Sequence, residues 1–432
     1  MGQYNRLIME SPDFNIIADL RSDDAHKQFQ DRVSRGSKVS AHFSIRWQSD
    51  NASHVDSRYI DNLNVWRDFF PAEIEMQLES CAVDTAIHHG IGAGEALPEF
   101  SKADIHRVKQ QQFNRDFSSR VRLEPRLGRF YPRGIFENVP GNYRSNYQPC
   151  RIIDLDDDGI TTDFNHPLAT KALDVQARII RIWDGGQEHG GRCNDIMETL
   201  TTDGPGMQAR YGNKATDFWS DAPFTRQDPS PDELFYTEPR LVDHLDRSCS
   251  QQVGELYRQL LPHDGVLLDL MSSWTSHLPA EFSAAHITGL GMNRQELEHN
   301  AMLADIQVQD LNQQPQLPFE KETFDGIACT ASIEYLISPQ HVFSELARVL
   351  KPGAPLVITF SNRWFPPKAI RIWGDTHEFE RIGLVLEYFL DNGHFEQLHS
   401  YSLRGLPRPQ LDKYADQLPL SDPVYAVWGR KR

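Results

Sequence analysis

The last third of this chain limits its fold more than any other stretch. Between Gly265 and Arg432 short apolar runs recur at spacings that leave room for one helix or loop between strands. The first runs from Gly265 to Trp274 and closes with Asp269 and a turn of small residues. A second spans His286 to Asn293, a third Val308 to Asn312, and a fourth lies within Leu317 to Cys329. A helical pattern from Gln340 to Leu350, with Val342, Leu346 and Val349 on one face, stops at Lys351-Pro352-Gly353. Leu356 to Phe360 follows as a fifth strand. Apolar strands alternating with helices predict an α/β module around a mostly parallel sheet. Ligands of such sheets sit beyond the carboxyl ends of the strands, so the loops there hold the candidate site.

At 432 residues the chain is too long for one ordinary domain, and two or three are expected. Its net charge of −17 argues against general nucleic-acid binding, which needs clustered Lys and Arg. The five cysteines Cys81, Cys150, Cys193, Cys249 and Cys329 are far apart and include no Cys-x-x-Cys pair. Free thiols in a reducing compartment, and no metal site, are the expectation. The start of the chain is polar, and Arg6 stands where a myristoylation signal carries Ser or Thr. No apolar run reaches membrane-spanning length. A cytoplasmic protein with neither nucleic-acid nor membrane partners is expected.

Composition divides the chain into residues 1–36, an arm without periodicity; 37–184, rich in strands; 185–232, a connector opening and closing in Gly and Pro; and 233–432, the α/β module. In the second part Val39 to Arg46 alternates as an amphipathic strand, and Phe70-Pro71 leads into a helix with Ile74 and Leu78. Near its end Asn165-His166-Pro167-Leu168-Ala169 forms a turn before a closing strand, Leu173 to Ile182. This part resembles the flap-inserted bacterial FKBP-type prolyl isomerases, an α+β fold, with the flap at about 101–163. The resemblance places Phe43, Asp56 and Ile74 in the family's apolar pocket. Val175 replaces the usual pocket phenylalanine, and Ile91 to Ala96 replace a loop that normally brings tyrosine. A binding or dimerisation module is therefore expected, with association of chains through it left open.

The carboxyl-terminal part, with its strand order and its loops, resembles the class I AdoMet-dependent methyltransferases of the small-molecule type, a Rossmann-like fold with a seven-stranded sheet. The resemblance implies S-adenosyl-L-methionine as cofactor. Asp269 ends the first strand as in that family, but Met271, Ser272 and Ser273 replace the glycine-rich turn. The usual ribose-binding acid is absent, and Asn293 stands there, either as a weaker ribose partner or as a helix N-cap. Asp310 matches the acceptor of the adenine amino group, and the Leu311 N–H would address the ring. Thr330, Tyr236 and Arg210 complete the expected cofactor contacts, the last two as a cover together with Arg240 and Tyr211.

Cys329 to Leu336 and Ser361 to Pro367 should flank the transferred methyl. Glu334, Tyr335 and His277 are the catalytic candidates, with His341 a further base; Trp274, Asn362, Arg363 and Trp364 are the acceptor-binding ones. Methyl transfer needs positioning and exclusion of water. A general base is required for an alcohol but not for a thiolate. No spaced pair compels an acid/base assignment, which favours a small thiol or sulfide acceptor. A protein acceptor presented by the FKBP-like part, or a scaffold that has lost its cofactor, are the alternatives.

Overall fold

The computed structural model describes residues 28–119, 121–186 and 190–432. Most of the expected arm at 1–36 lies outside the described residues. The amino-terminal strands are β1 (Ser37–Gln48), β2 (Ser53–Asn64), β3 (Ala86–Ile91), β4 (Ile105–Val108), β5 (Phe130–Pro132), β6 (Pro149–Asp156), β7 (Gly159–Asp163) and β8 (Leu173–Asp184). The carboxyl-terminal strands are β9 (Val266–Leu270), β10 (His286–Gly291), β11 (Asp305–Val308), β12 (Gly326–Thr330), β13 (Pro355–Phe360), β14 (Phe395–Arg404) and β15 (Val424–Lys431).

A small antiparallel sheet, β4-β7-β6-β5, is inserted in the chain between β3 and β8. All other strands join one sheet of eleven, in the order β11-β10-β9-β12-β13-β15-β14-β2-β1-β8-β3. The α/β module contributes seven adjacent strands, and four amino-terminal strands extend the sheet beyond them. The strands of the α/β module do lie side by side, but β14 is not an edge. It pairs in parallel with β2, from His399 opposite Ser53 to Arg404 opposite Arg58. An uncovered β14 would present a row of unpaired backbone groups to solvent, and β2 removes that liability.

Alternation along the strands divides the core. Leu268 and Leu270 of β9 face one apolar layer together with Val342, Phe343 and Leu346 of the helix Pro339–Val349. Leu267 faces the other, with Cys249, Val253, Leu256 and Tyr257 of the helix Arg247–Leu260. The period-2 strand and the 3.6-period helix therefore meet on both sides of the sheet. Val55 and Tyr59 of β2 belong to that second layer. β2 is thus part of the module's own core.

The seam is also polar. Asp56 of β2 accepts from Trp47 Nε1 at 2.8 Å, Gln208 Nε2 at 3.0 Å and Ser402 Oγ at 2.9 Å. Next to it His54 Nδ1 meets Ser400 Oγ at 2.7 Å, and burial pushes the His54 imidazole down to about 3. Asp56 therefore sits in the seam between sheets' halves and not in a pocket, which corrects its expected place. Phe43, Ile74 and Val175 are fully buried and pack with Ile196 and Leu200 of the connector helix Ile196–Thr201. The expected apolar cup is filled core.

Asp56→Ala would strand three buried donors from three separate segments. A loss of about 1–3 kcal/mol is expected, read as one cooperative urea transition moving to lower denaturant. Two transitions, with only the first displaced, would show that the seam does not couple the halves.

Candidate functional site

The loops after β9, β10, β11 and β12 enclose a narrow cleft at the carboxyl edge of the parallel strands. A wider opening, about 1710 Å³, lies between residues 121–149, 203–223 and 371–380. Its facing charges close on each other, Arg129 with Glu380 at 2.8 Å and Arg126 with Asp221 at 2.5 Å. The cleft is the better candidate because strand ends and loop backbone converge there.

The turn after β9 has no glycine, yet it keeps a glycine's conformation. Met271 has φ 55°, a left-handed value that costs a side chain about 1–3 kcal/mol. Ala331, after β12, has φ 46°. Room for the turn comes from the neighbouring strand: Ser272 N–H donates to Leu290 O at 2.7 Å. A Cβ on Gly291 would stand 2.2 Å from the Ser272 carbonyl oxygen. Gly291 thus supplies from β10 the close approach that the turn lacks.

The serine hydroxyls do not point outward as donors. Ser272 Oγ donates to Asp269 Oδ2 at 2.5 Å, and Ser273 Oγ to Glu296 Oε2 at 2.7 Å. Asp269 is buried beneath the turn, where desolvation holds its carboxyl up at about 7. It positions the turn and does not line the cleft. Asn293 caps the helix Arg294–His299, accepting from Gln295 and Glu296 N–H, and its amide donates to the Tyr236 carbonyl at 2.9 Å. Glu296, one turn on, brings a carboxylate to the same wall.

Asp310 and Leu311 line the cleft. The Asp310 carboxylate accepts from Asn312 N–H at 2.8 Å and Gln313 Nε2 at 3.0 Å. The Leu311 N–H has no partner among the described residues. Tyr236 forms part of a strap over the cleft. Asp232 ties that strap down, meeting Arg226 Nη1 at 2.7 Å, Asn312 Nδ2 at 2.9 Å and the buried Lys368 Nζ at 3.4 Å. Arg240 lies against Phe235, Tyr236 and Phe365, 4.1–5.5 Å from the ring centres. Its Nη1 is buried at the cleft without a hydrogen-bond partner. A buried guanidinium donor left open is a place for an anionic group.

Other expected residues lie elsewhere. Thr330 turns its hydroxyl to Tyr257 at 2.5 Å, behind the cleft wall. Arg210 pairs with Glu387 on the helix Glu378–Asn392, so it is no part of the cover. Its partner is 177 residues away in sequence, a contact invisible to local pattern. Tyr335 lines the cleft, accepts from the Phe365 N–H at 2.9 Å, and has its phenol pushed up by burial; it is no base. Glu334 is buried below the cleft with Oε2 unpartnered, and burial pushes its carboxyl up to about 8. His277 is outside the lining, and desolvation holds it down at about 4. Trp274 and Arg363 line a neighbouring groove, Asn362 is exposed, and Trp364 lies under Arg381 at 4.3 Å.

His244 is the residue that sequence pattern missed. It lies on the strap, lines the cleft, and faces the Phe365 ring edge-on at 5.4 Å. Its nitrogens have no hydrogen-bond partner among the described residues. Desolvation is the main force lowering its pKa from 6.5, opposed by Glu296 and Asp243 and helped by Arg240 and Lys413. Its imidazole faces the cleft, and desolvation favours the neutral form.

Residues 272–358 match the family model described as a methyltransferase domain. This part of the chain is similar to methyltransferase domains, and the cofactor is S-adenosylmethionine. A malonyl-[acyl-carrier protein] O-methyltransferase from Marinomonas sp. is 25% identical over 133 residues, 31% of this chain and 42% of that protein. The methyltransferase phqN of Penicillium fellutanum is 38% identical over 81 residues, 17% of this chain and 25% of that protein. The chain thus spans less than half the length of these curated relatives. Among solved structures, a SAM-dependent methyltransferase from Aquifex aeolicus is similar at 17% identity and TM-score 0.30, covering 46% of this chain and 97% of that one. One from Mesorhizobium loti is similar at 15% and 0.29, covering 42% and 98%. No helix among the described residues is long and apolar enough to cross a membrane.

Asp269 and Glu334 give the fold a pH signature. Their folded values, about 7 and about 8, lie above the ordinary 3.8 and 4.5, so the native state holds protons that the unfolded chain releases. Stability is full below those ordinary values and falls as pH climbs toward 8. Glu334→Gln should leave the melting temperature unchanged at pH 4 and raise stability at pH 9 by about 2–5 kcal/mol. An equal shift at both pH values would mean that Glu334 is already ionised in the fold.

Proposed function

We propose that the protein transfers a methyl group from S-adenosylmethionine to a small thiol, with the cleft as its active site and His244 as proton acceptor. The reading rests on one conjunction: a cleft at the strand ends, holding an open cation and an unengaged imidazole. The residues fit the cofactor. The orphaned Arg240 Nη1 is placed for its carboxylate, the Leu311 N–H and Asp310 for its purine, and the Glu296 wall for its sugar. Tyr236 and Phe365 shield it from water. When bound, the cofactor supplies an electrophilic methyl on a sulfonium.

The chain's own part is to align the acceptor and take one proton. His244, with a pKa below 6.5, is a weak base. It suits a thiol, whose pKa is about 8.5, far better than an aliphatic alcohol. The same neutrality keeps a second cation from opposing the sulfonium. The filled cup of the amino-terminal part supports a structural and binding role for that FKBP-like region, not prolyl isomerisation.

His244→Ala should lower kcat on a small-thiol panel by about 10²–10⁴ while leaving the calorimetric affinity for S-adenosylhomocysteine unchanged. In the wild type the acid limb of kcat/KM should lie below the ordinary imidazole range. Full activity in the variant would remove His244 from the mechanism. Asp310→Ala should weaken S-adenosylhomocysteine by about 1–3 kcal/mol. No heat and no thermal shift with either cofactor form in the wild type would leave the scaffold reading standing.

A further inference from the structure

Beyond His244 the cleft continues into an open groove, and His244 lines both. Its walls are the chain around Val242, the Trp274 side chain and the excursion between β14 and β15. Trp274 is held as a fixed wall, its Nε1 donating to the Val242 carbonyl at 3.0 Å. The apolar surface here is open to solvent: Leu241 is 42% exposed, Val242 51% and Leu411 99%. Exposed aliphatic groups gathered around a cavity mark a contact surface for an apolar ligand.

The groove's lining carries four cations and four carboxylates, but they are unevenly placed. Arg408 at its base is spent on acids, 2.6 Å from Asp422, 3.2 Å from Asp412 and 3.4 Å from Asp246. Arg247, Arg363 and Lys413 form no ion pair among the described residues. Arg363 lies 4.8 Å from the Tyr414 ring centre and Lys413 Nζ 5.0 Å from it, so two unpaired cations flank one ring. Asp243 is the carboxylate left on the rim. With three of the four acids gathered on Arg408, the cations beside the apolar wall favour an anion with an apolar body.

We propose that this groove is the acceptor site and that the acceptor is an amphipathic anionic thiol, a reading that rests on the methyl transfer argued above. Its apolar body lies along Trp274, Val242 and Leu411. Its carboxylate or phosphate is held by Arg363 and Lys413, and its sulfur reaches His244. In the reaction the sulfur–methyl bond of the cofactor breaks as the new sulfur–methyl bond forms, and the thiol proton passes to His244. The positive charge that leaves the sulfonium is thereby balanced by the proton taken up.

The test uses the full chain and binding, read by calorimetry and by tryptophan fluorescence, with and without S-adenosylhomocysteine. The probes are mercaptoundecanoate, dodecyl phosphate and the neutral mercaptoundecanol, each below its micelle concentration. Both anions should bind at least about tenfold more tightly than the neutral thiol. Arg363→Gln combined with Lys413→Gln should abolish that preference while the affinity for S-adenosylhomocysteine and the melting temperature stay unchanged. The tighter of the two anions names the headgroup. Equal binding of anionic and neutral probes, or a preference that survives the double substitution, overturns the proposal. An anion preference in a chain that binds no S-adenosylhomocysteine would sink the methyl-transfer reading instead, and the two failures are therefore separable.

Discussion

The cleft depends on the passage of the β9 turn over the end of β10. A carbonyl oxygen at Ser272 comes so near Gly291 that no side chain fits between them. That contact sets where Met271 enters the cleft, and the Ser272 hydroxyl bond to Asp269 fixes the turn from below. A buried carboxyl kept protonated up to about 7 is a hydrogen-bonding post more than a charge. The turn thus trades glycine's freedom for one glycine on the neighbouring strand and one buried acid. Everything that lines the cleft is referred to this crossing.

The strand succession was legible because it is a matter of period and length. Val266 to Leu270 and Pro355 to Phe360 are mostly apolar and buried on both faces, and helices flank them on both sides. The merger of the two halves was not legible. Nothing in β14 or β2 states that Tyr401 will lie opposite Val55, since strand pairing is decided by what remains uncovered after local folding. Asp56 shows the same limit. An acid in an alternating strand is compatible with a pocket or a seam, and only the Trp47, Gln208 and Ser402 donors distinguish them.

The site was legible in its strand-end positions and obscure in its loops. Asp310 and Leu311 follow a strand, so their place in the cleft follows from topology. His244 stands in a polar segment without periodicity, and its importance comes from the strap geometry that Asp232 enforces. Ser272, Ser273 and Thr330 carried the right functional groups at the right strand ends, yet each hydroxyl is engaged inward. Residue type told what these groups can do, and only packing told what they are already doing.

The electrostatics follow one rule across the site. Where a charge would sit unpaired in the dry interior, the protein holds the neutral form, as at Glu334, Asp269 and His54. Where charge is retained near the cleft, it is either clamped, as Asp232 is by Arg226 and Lys368, or left open, as at Arg240 Nη1. Clamped charges shape the strap, and open ones face places a ligand can reach. His244 stands between the two regimes, desolvated enough to be neutral and accessible enough to accept a proton. In the proposed reaction a base so weak would suit an acceptor whose own proton is loosely held, as a thiol's is.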